Sequence, residues 1–364
     1  MLSRILDTPK KRIAVAITGF VLLVGAVAAF ALAGGDEEDA APTTTTTTVA
    51  PTTTTTAPEP VAPLTGLPGA YGDRLQKPAI VVKIDNDNKK ARPQVGINQA
   101  DVVYEERVEG GVTRLMAVFH STDSVPVGPV RSARTSDIAI FSALSHPYFA
   151  WSGANPTFAG RIRASDAMDV GYDARSGEYF REGSRSAPHN LMLRSTDSIR
   201  NIPNEKGKPP RQLWGFRKGG QPIPHLAPAE GVAINFGGGP GGAPEEWRWD
   251  NVGWARWQGG TPHVDVAGKQ VRVKNVIVQF VDYVPSDTAD QFGVPIPEAK
   301  LVGEGDVWIF TGGGREPHGV IKGRWKKENF PGRTSYTDAA GNPIQLTPGR
   351  TWVILPPPGS AHSL

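Results

Sequence analysis

The chain has no cysteine among its 364 residues, which excludes disulfides, thiolate nucleophiles, Cys-ligated zinc, iron–sulfur clusters and a lipid-modified cysteine at one stroke. It has no long Lys/Arg block after the first dozen positions, and 39 basic against 36 acidic residues leave a net charge of only +3. So balanced a chain does not argue for nucleic acid. Also missing are Gly-x-Ser-x-Gly, His-Glu-x-x-His, a phosphate loop ending in Gly-Lys-Ser/Thr and a strand-linked Gly-x-Gly-x-x-Gly. The glycine clusters that do occur, "FGGGPGGAPEEW" and "TGGGREPHG", open no helix that could cradle a phosphate and read as turns.

What is present starts at the N-terminus. Arg4, Lys10, Lys11 and Arg12 precede 23 uncharged residues, "IAVAITGFVLLVGAVAAFALAGG", and the acidic run Asp36, Glu37, Glu38, Asp39 follows. About 20 apolar residues span a bilayer and the basic flank stays cytoplasmic. Residues 1–12 therefore read as a cytoplasmic N-terminus, residues 13–35 as a transmembrane signal anchor, and the remainder as extracytoplasmic. Ala31-Leu32-Ala33 offers an alternative, a cleaved signal peptide, although the apolar regions of such peptides run to about 7–15 residues. Residues 36–63 are acidic and then rich in Thr and Pro. Nothing there can pack a core, and the stretch reads as an extended, disordered stalk.

The expected fold is α+β. Residues 64–212 read as a mixed N-terminal domain: a strand in "PAIVVKIDN", a hairpin in "DVVYEERVEGGVTRLMAVFH", a short amphipathic helix over residues 134–145, then a strand in "HPYFAWSG", a helix start in "PTFAGRIRAS", and strand then helix in "HNLMLRSTDSIRNI". From residue 213 to 364 the texture turns to Gly, Pro and short strands with no convincing helix, a mainly β C-terminal domain. Trp247, Trp249, Trp254 and Trp257 flank "DNVG" there; such rings stack sugars, but in a small β domain they more often make the core.

Four stretches carry candidate chemistry. A two-residue turn at Gly110-Gly111 sets Arg107 opposite Arg114 and Glu105 opposite Met116, so that Glu105, Arg107, Glu109 and Arg114 share one face, a mixed-charge strip whose plain alternative is a solvated sheet surface. Glu106 then falls on the apolar face, where a carboxylate needs a partner; either a bulge shifts the register or an arginine pairs with it. In "GPVRSARTSD", Arg131 and Arg134 stand at a helix start, a setting that favours an anion, or else they neutralise the strip's glutamates. In "YFREGSRSAPHNLML", His189 and Asn190 offer a proton carrier and an amide clamp, or a satisfied strand entrance. "KIDNDNKK" lacks the calcium-loop spacing, because Lys89-Lys90 breaks it, and reads as a turn from which Asp85 can still face the cleft.

Taken with "ARPQVGINQADVVYEERVEGGVTRLMAVF", "VGPVRSARTSD", "FREGSRSAPHNL" and "GRWKKENFPGRTSYTDAAGNPIQLTPGRTWVILPPP", the chain resembles the YerB-like family of bacterial envelope lipoproteins, catalogued as a domain of unknown function with N- and C-terminal parts. The resemblance covers roughly residues 63–358. It implies an extracytoplasmic, membrane-attached protein of two fused parts without an established reaction, and it stresses Glu105, Glu109, Arg114, Arg131, Arg134, His189 and Asn190, not Glu106. The chain departs from lipoprotein members in having an anchor and threonine stalk where the lipidated cysteine would be. It also has Trp151 in "AWSG" where a polar residue such as His is expected.

These readings converge on one expectation: Glu105, Glu109, Arg114, Arg131, Arg134, His189 and Asn190 meet at one cleft, with Asp85 near it. The leading function is binding of an anionic wall ligand, a peptidoglycan fragment or wall glycan, through arginine forks. The alternatives are a wall hydrolase or lyase with Glu105 or Glu109 as general acid/base and His189 as a second proton carrier, and a scaffold that regulates a wall-synthesis protein. The residues single out no metal ligands and name no cofactor, and they leave metal dependence open.

Overall fold

Three antiparallel strands from the N-terminal half form the centre of the fold: β1 (Ile80–Asp85), β2 (Val102–Arg107) and β3 (Thr113–Phe119), in the order β2-β3-β1. Every residue of β1 is buried. Its near-continuous apolar run is what a strand covered on both faces requires. The sheet grows beyond β1 by two parallel strands, β4 (Tyr148–Ala150) and β5 (Met168–Asp169).

Beyond β2 the sheet continues with strands of the C-terminal half. Thr351–Leu355 pairs in parallel with β2, and Asn275–Gln279, Gly303–Gly312, His318–Lys327 and Ser335–Asp338 follow in that order. One ten-stranded sheet thus crosses the expected boundary at residues 212/213. A smaller sheet of Thr261–Pro262, Trp254–Gln258, Glu245–Trp249, Gly231–Ile234 and Ala361–Ser363 covers one face, where Trp247 and Trp254 join Val103, Leu115 and Trp352 in a continuous apolar core. The tryptophan hairpin is therefore largely core: Trp247 and Trp254 are fully buried, while Trp249 stacks on His318 at the margin. The opposite face is covered by α1 (Ser136–Phe141) and by the second apolar cluster of Val81, Met116, Val118, Phe141, Phe149 and Val353.

This computed structural model describes residues 59–237, 242–289, 293–313 and 317–364, all within one compact unit, Ala57–Leu364. The fold is mostly β. Among the described residues the α helices are short: α1, α2 (Pro156–Arg163) and α3 (Thr196–Arg200), so the α+β expectation holds only in its coarser part. The anchor at residues 13–35 and nearly all of the stalk lie outside the described residues. Packed structure begins before Leu64, since Ala62 is fully buried and Val61 bridges Pro68. Among the described residues no helix is long and apolar enough to cross a membrane.

The hairpin register differs from the expected one. Glu106 faces Arg114 and Glu105 faces Leu115, because the connection is a 3-10 turn over Glu109–Gly111, with Gly110 at φ 68°, closed by Val108 N–H on Val112 O, rather than a two-residue turn. A slip of one residue exchanges the faces of a strand. Arg114 moves to the side of Glu106, and Glu105 is left on the other.

Candidate functional site

The end of β1 and its neighbours assemble a charged cluster on the α1 side of the sheet. Residues 129–131 run antiparallel beside β1: Ile84 bridges Val130, Asp85 N–H donates to Pro129 O, and Arg131 N–H donates to Lys83 O. That places the Arg131 Nε 3.1 Å from Asp85 Oδ2. On the other side Val130 N–H donates to Leu191 O, which brings the preceding loop near enough for His189 Nδ1 to lie 2.7 Å from the same Asp85 oxygen. A carboxylate only accepts, so Nδ1 carries the proton, and in the neutral tautomer Nε2 is the nitrogen with the free lone pair.

From the turn after β2, Glu109 receives Arg134 Nη2 on both oxygens, at 2.6 and 2.5 Å. Burial pushes the Glu109 carboxyl up, but the Arg134 guanidinium outweighs it and holds the pKa below its ordinary value. Arg114, across from Asp85 in the sheet, donates from Nη1 to Ser132 O at 3.1 Å and to no carboxylate among the described residues. Burial, with Arg134 and then Arg131 as like-charged neighbours, pushes it down to about 9, still charged at neutral pH. Three guanidinium groups here face two carboxylates, Asp85 and Glu109. Arg131 and Glu109, with side chains 24% and 23% exposed, form the rim, while Arg114 is 8% exposed. The buried Arg134 Nε also has no acceptor. Surplus positive charge and unused donors suit an anion.

The structure thus brings together Asp85, Glu109, Arg114, Arg131, Arg134 and His189. It does not bring Glu105 or Asn190 to them. Glu105 is wholly buried on the opposite face, where Arg256 Nη2 donates to both its oxygens at 2.8 and 3.0 Å and Trp352 Nε1, Thr113 Oγ1 and Asn86 Nδ2 complete its bonds. Glu245 lies 3.0 Å from the same guanidinium. So enclosed a carboxylate holds the two sheets together and has no route to a substrate. Asn190 clamps its own loop, donating to Glu182 O and Arg185 O and accepting from Arg181. Trp151 is buried and donates to Asp169 at 2.8 Å, outside the cluster.

Beneath the arginines is a second charged group that the motif reading misses. Lys83 Nζ lies between Glu106 and Asp137, 2.6 Å from the latter, all fully or almost fully buried. The partner of Glu106 is thus a lysine, not an arginine. Burial, relieved by Lys83 and reinforced by Glu106, pushes Asp137 up to about 7. The signal was Lys83 itself, the one basic residue within the apolar run of "PAIVVKIDN". Among the described residues no group of three His, Cys, Asp or Glu is placed to hold a metal.

Comparison with known proteins gives a consistent relationship. Residues 64–208 match the N-terminal domain, and residues 232–353 the C-terminal domain, of the family described as protein of unknown function DUF3048. The chain is similar to the candidate lipoprotein YerB of Bacillus subtilis strain 168, 28% identical over 315 residues, covering 83% of this chain and 88% of YerB. A crystal structure of the YerB protein from Bacillus subtilis superposes with a TM-score of 0.71 at 25% identity, covering 84% of this chain and all of that one.

Proposed function

The chain belongs to the DUF3048 family, and we propose that it is a membrane-tethered protein of the cell envelope that binds an anionic wall ligand through Arg114, Arg131 and Arg134. The observation that carries this reading is Arg114: a guanidinium 8% exposed, with two further guanidinium groups beside it and only a backbone carbonyl to receive its protons. With one backbone carbonyl for a five-donor fork, Arg114 keeps donors to spare for a ligand. A phosphate or carboxylate of a wall glycan or peptidoglycan fragment supplies the missing acceptors in the fork geometry that arginine favours. The envelope location rests on the likeness to YerB, described as a lipoprotein candidate. Here, with no cysteine in the chain, residues 13–35 serve as the tether.

The test is retention of the detergent-solubilised full chain on isolated cell-wall sacculi. Wild-type protein is expected to sediment with the wall, and Arg114→Met to lose retention by roughly 10-fold or more, the value of one or two charge-assisted hydrogen bonds. Equal retention of the two proteins overturns the reading.

One observation favours an enzyme as the second reading: the imidazole of His189 is held by a buried carboxylate with Nε2 left as a base. A wall hydrolase or lyase then uses His189, with Glu109 rather than Glu105 as its carboxylate. Soluble fragments released from the sacculi by wild type but not by His189→Gln identify it. Neither retention nor release directs attention to the scaffold alternative and a wall-synthesis protein.

A further inference from the structure

On the α1 face, away from the arginine cluster, a recess of about 20 Å3 is lined by Tyr104, Ala139, Trp214, Gln279, Lys327 and Tyr336, among others. That is room for one water-sized body, not for a polyatomic ligand. It shares Leu213, Trp214, Thr334 and Tyr336 with an open groove of about 620 Å3, which gives it a path to solvent.

Its chemistry is one-sided. No Asp or Glu lines the recess. Lys327, at the end of the His318–Lys327 strand, is 4% exposed. Its ammonium donates to Ala139 O and forms no ion pair with a described carboxylate. The indole Nε1 of Trp214, a residue 8% exposed, is buried and has no partner. Tyr336 donates its hydroxyl proton to Gln279 Oε1 at 3.0 Å, which leaves the amide N–H2 of Gln279 as the free end of that side chain. A buried cation without a counter-charge is costly, as is a buried donor without an acceptor. A single water supplies an acceptor but no charge.

We propose that this recess is a binding site for one monatomic anion, chloride, held by the Lys327 ammonium, the Trp214 and Gln279 N–H groups and the Tyr104 hydroxyl. A halide ion is only slightly larger than a water molecule, is an acceptor in every direction, and neutralises the lysine. Sulfate, phosphate and carboxylates are too large for the space. Burial pushes Lys327 down to about 8; an anion beside it opposes that shift and keeps the lysine charged. The site is independent of the arginine cluster and of the function proposed for it.

The experiment is thermal melting of the full chain in sodium chloride against sodium isethionate at matched ionic strength, together with diffraction from crystals grown in bromide. The wild-type melting temperature is expected to rise by roughly 3 °C or more between chloride-free buffer and about 0.5 M chloride, beyond any change in isethionate. Lys327→Met, which keeps the aliphatic stem, is expected to melt alike in both salts. Bromide is expected to give an anomalous peak in contact with Lys327 Nζ. Identical melting of the wild-type protein in the two salts overturns the assignment, and so does a recess without anomalous density.

Discussion

Asp85 and His189, 104 residues apart in the chain, meet through Asp85 Oδ2 and His189 Nδ1 at 2.7 Å. The same oxygen receives Arg131 Nε, so one carboxylate sets both the tautomer of an imidazole and the aim of a guanidinium. Carboxylates placed in this way behind the histidines of metal sites matter about 10- to 100-fold for those sites, and the lower end of that range is the expectation for Asp85.

Asp85→Asn is therefore expected to weaken retention on wall sacculi by about 10-fold and to mix the two neutral tautomers of His189. The nitrogen NMR shifts of that ring provide the check. The same measurement on Asp85→Ala, which has no acceptor, decides the point: a pure Nδ1–H tautomer there would show that Asp85 does not orient the histidine.

Arg256→Met is expected to destabilise the protein by about 3–5 kcal/mol in urea denaturation, since it strands Glu105 and Glu245 as buried carboxylates without their shared cation. Glu105→Gln is expected to be destabilising too, while the folded fraction still binds the wall like wild type. Loss of binding without loss of stability would return Glu105 to the functional site.

His120 gives a pH signature. It is fully buried, with Nε2 3.2 Å from Lys77 O. Burial, and then the Arg200 guanidinium, push it from the ordinary 6.5 down to about 4. Between those values the unfolded chain binds a proton that the folded protein refuses. Its contribution to stability is thus intact above pH 6.5 and falls as the pH drops toward 4. Wild type is expected to lose about 2–3 kcal/mol more than His120→Asn across that window, as measured by denaturation at each pH.

Much of the local structure is legible from residues alone. "PAIVVKIDN" predicts a strand and the structure holds β1 at Ile80–Asp85; Ser136 opens a helix close to where amphipathic spacing predicts one. The gathering of Arg114, Arg131, Arg134, Glu109 and His189 is also anticipated. Glu105 and Asn190 are the misplacements, and the causes for Glu105 are specific. Alternation fixes faces only when the turn length is known, and the 3-10 turn at Glu109–Gly111 adds the residue that inverts them. The partners that bury Glu105, Arg256 and Trp352, lie 151 and 247 residues away. No periodicity within a window of one strand reports on such distant pairings. Arg256 did leave a trace, as a charge between Trp254 and Gln258 on the inward positions of its strand.

The parallel pairing of Thr351–Leu355 with β2 has a temporal side. During vectorial synthesis the strand that fills the middle of the main sheet is made some 250 residues after β2, so β2 keeps a bare edge while that stretch is added. The two family segments are thus separate in the chain but cannot mature one after the other. The late strand acts as a keystone, and the sheet behind the site beside β1 and β3 is completed only when Thr351–Leu355 arrives.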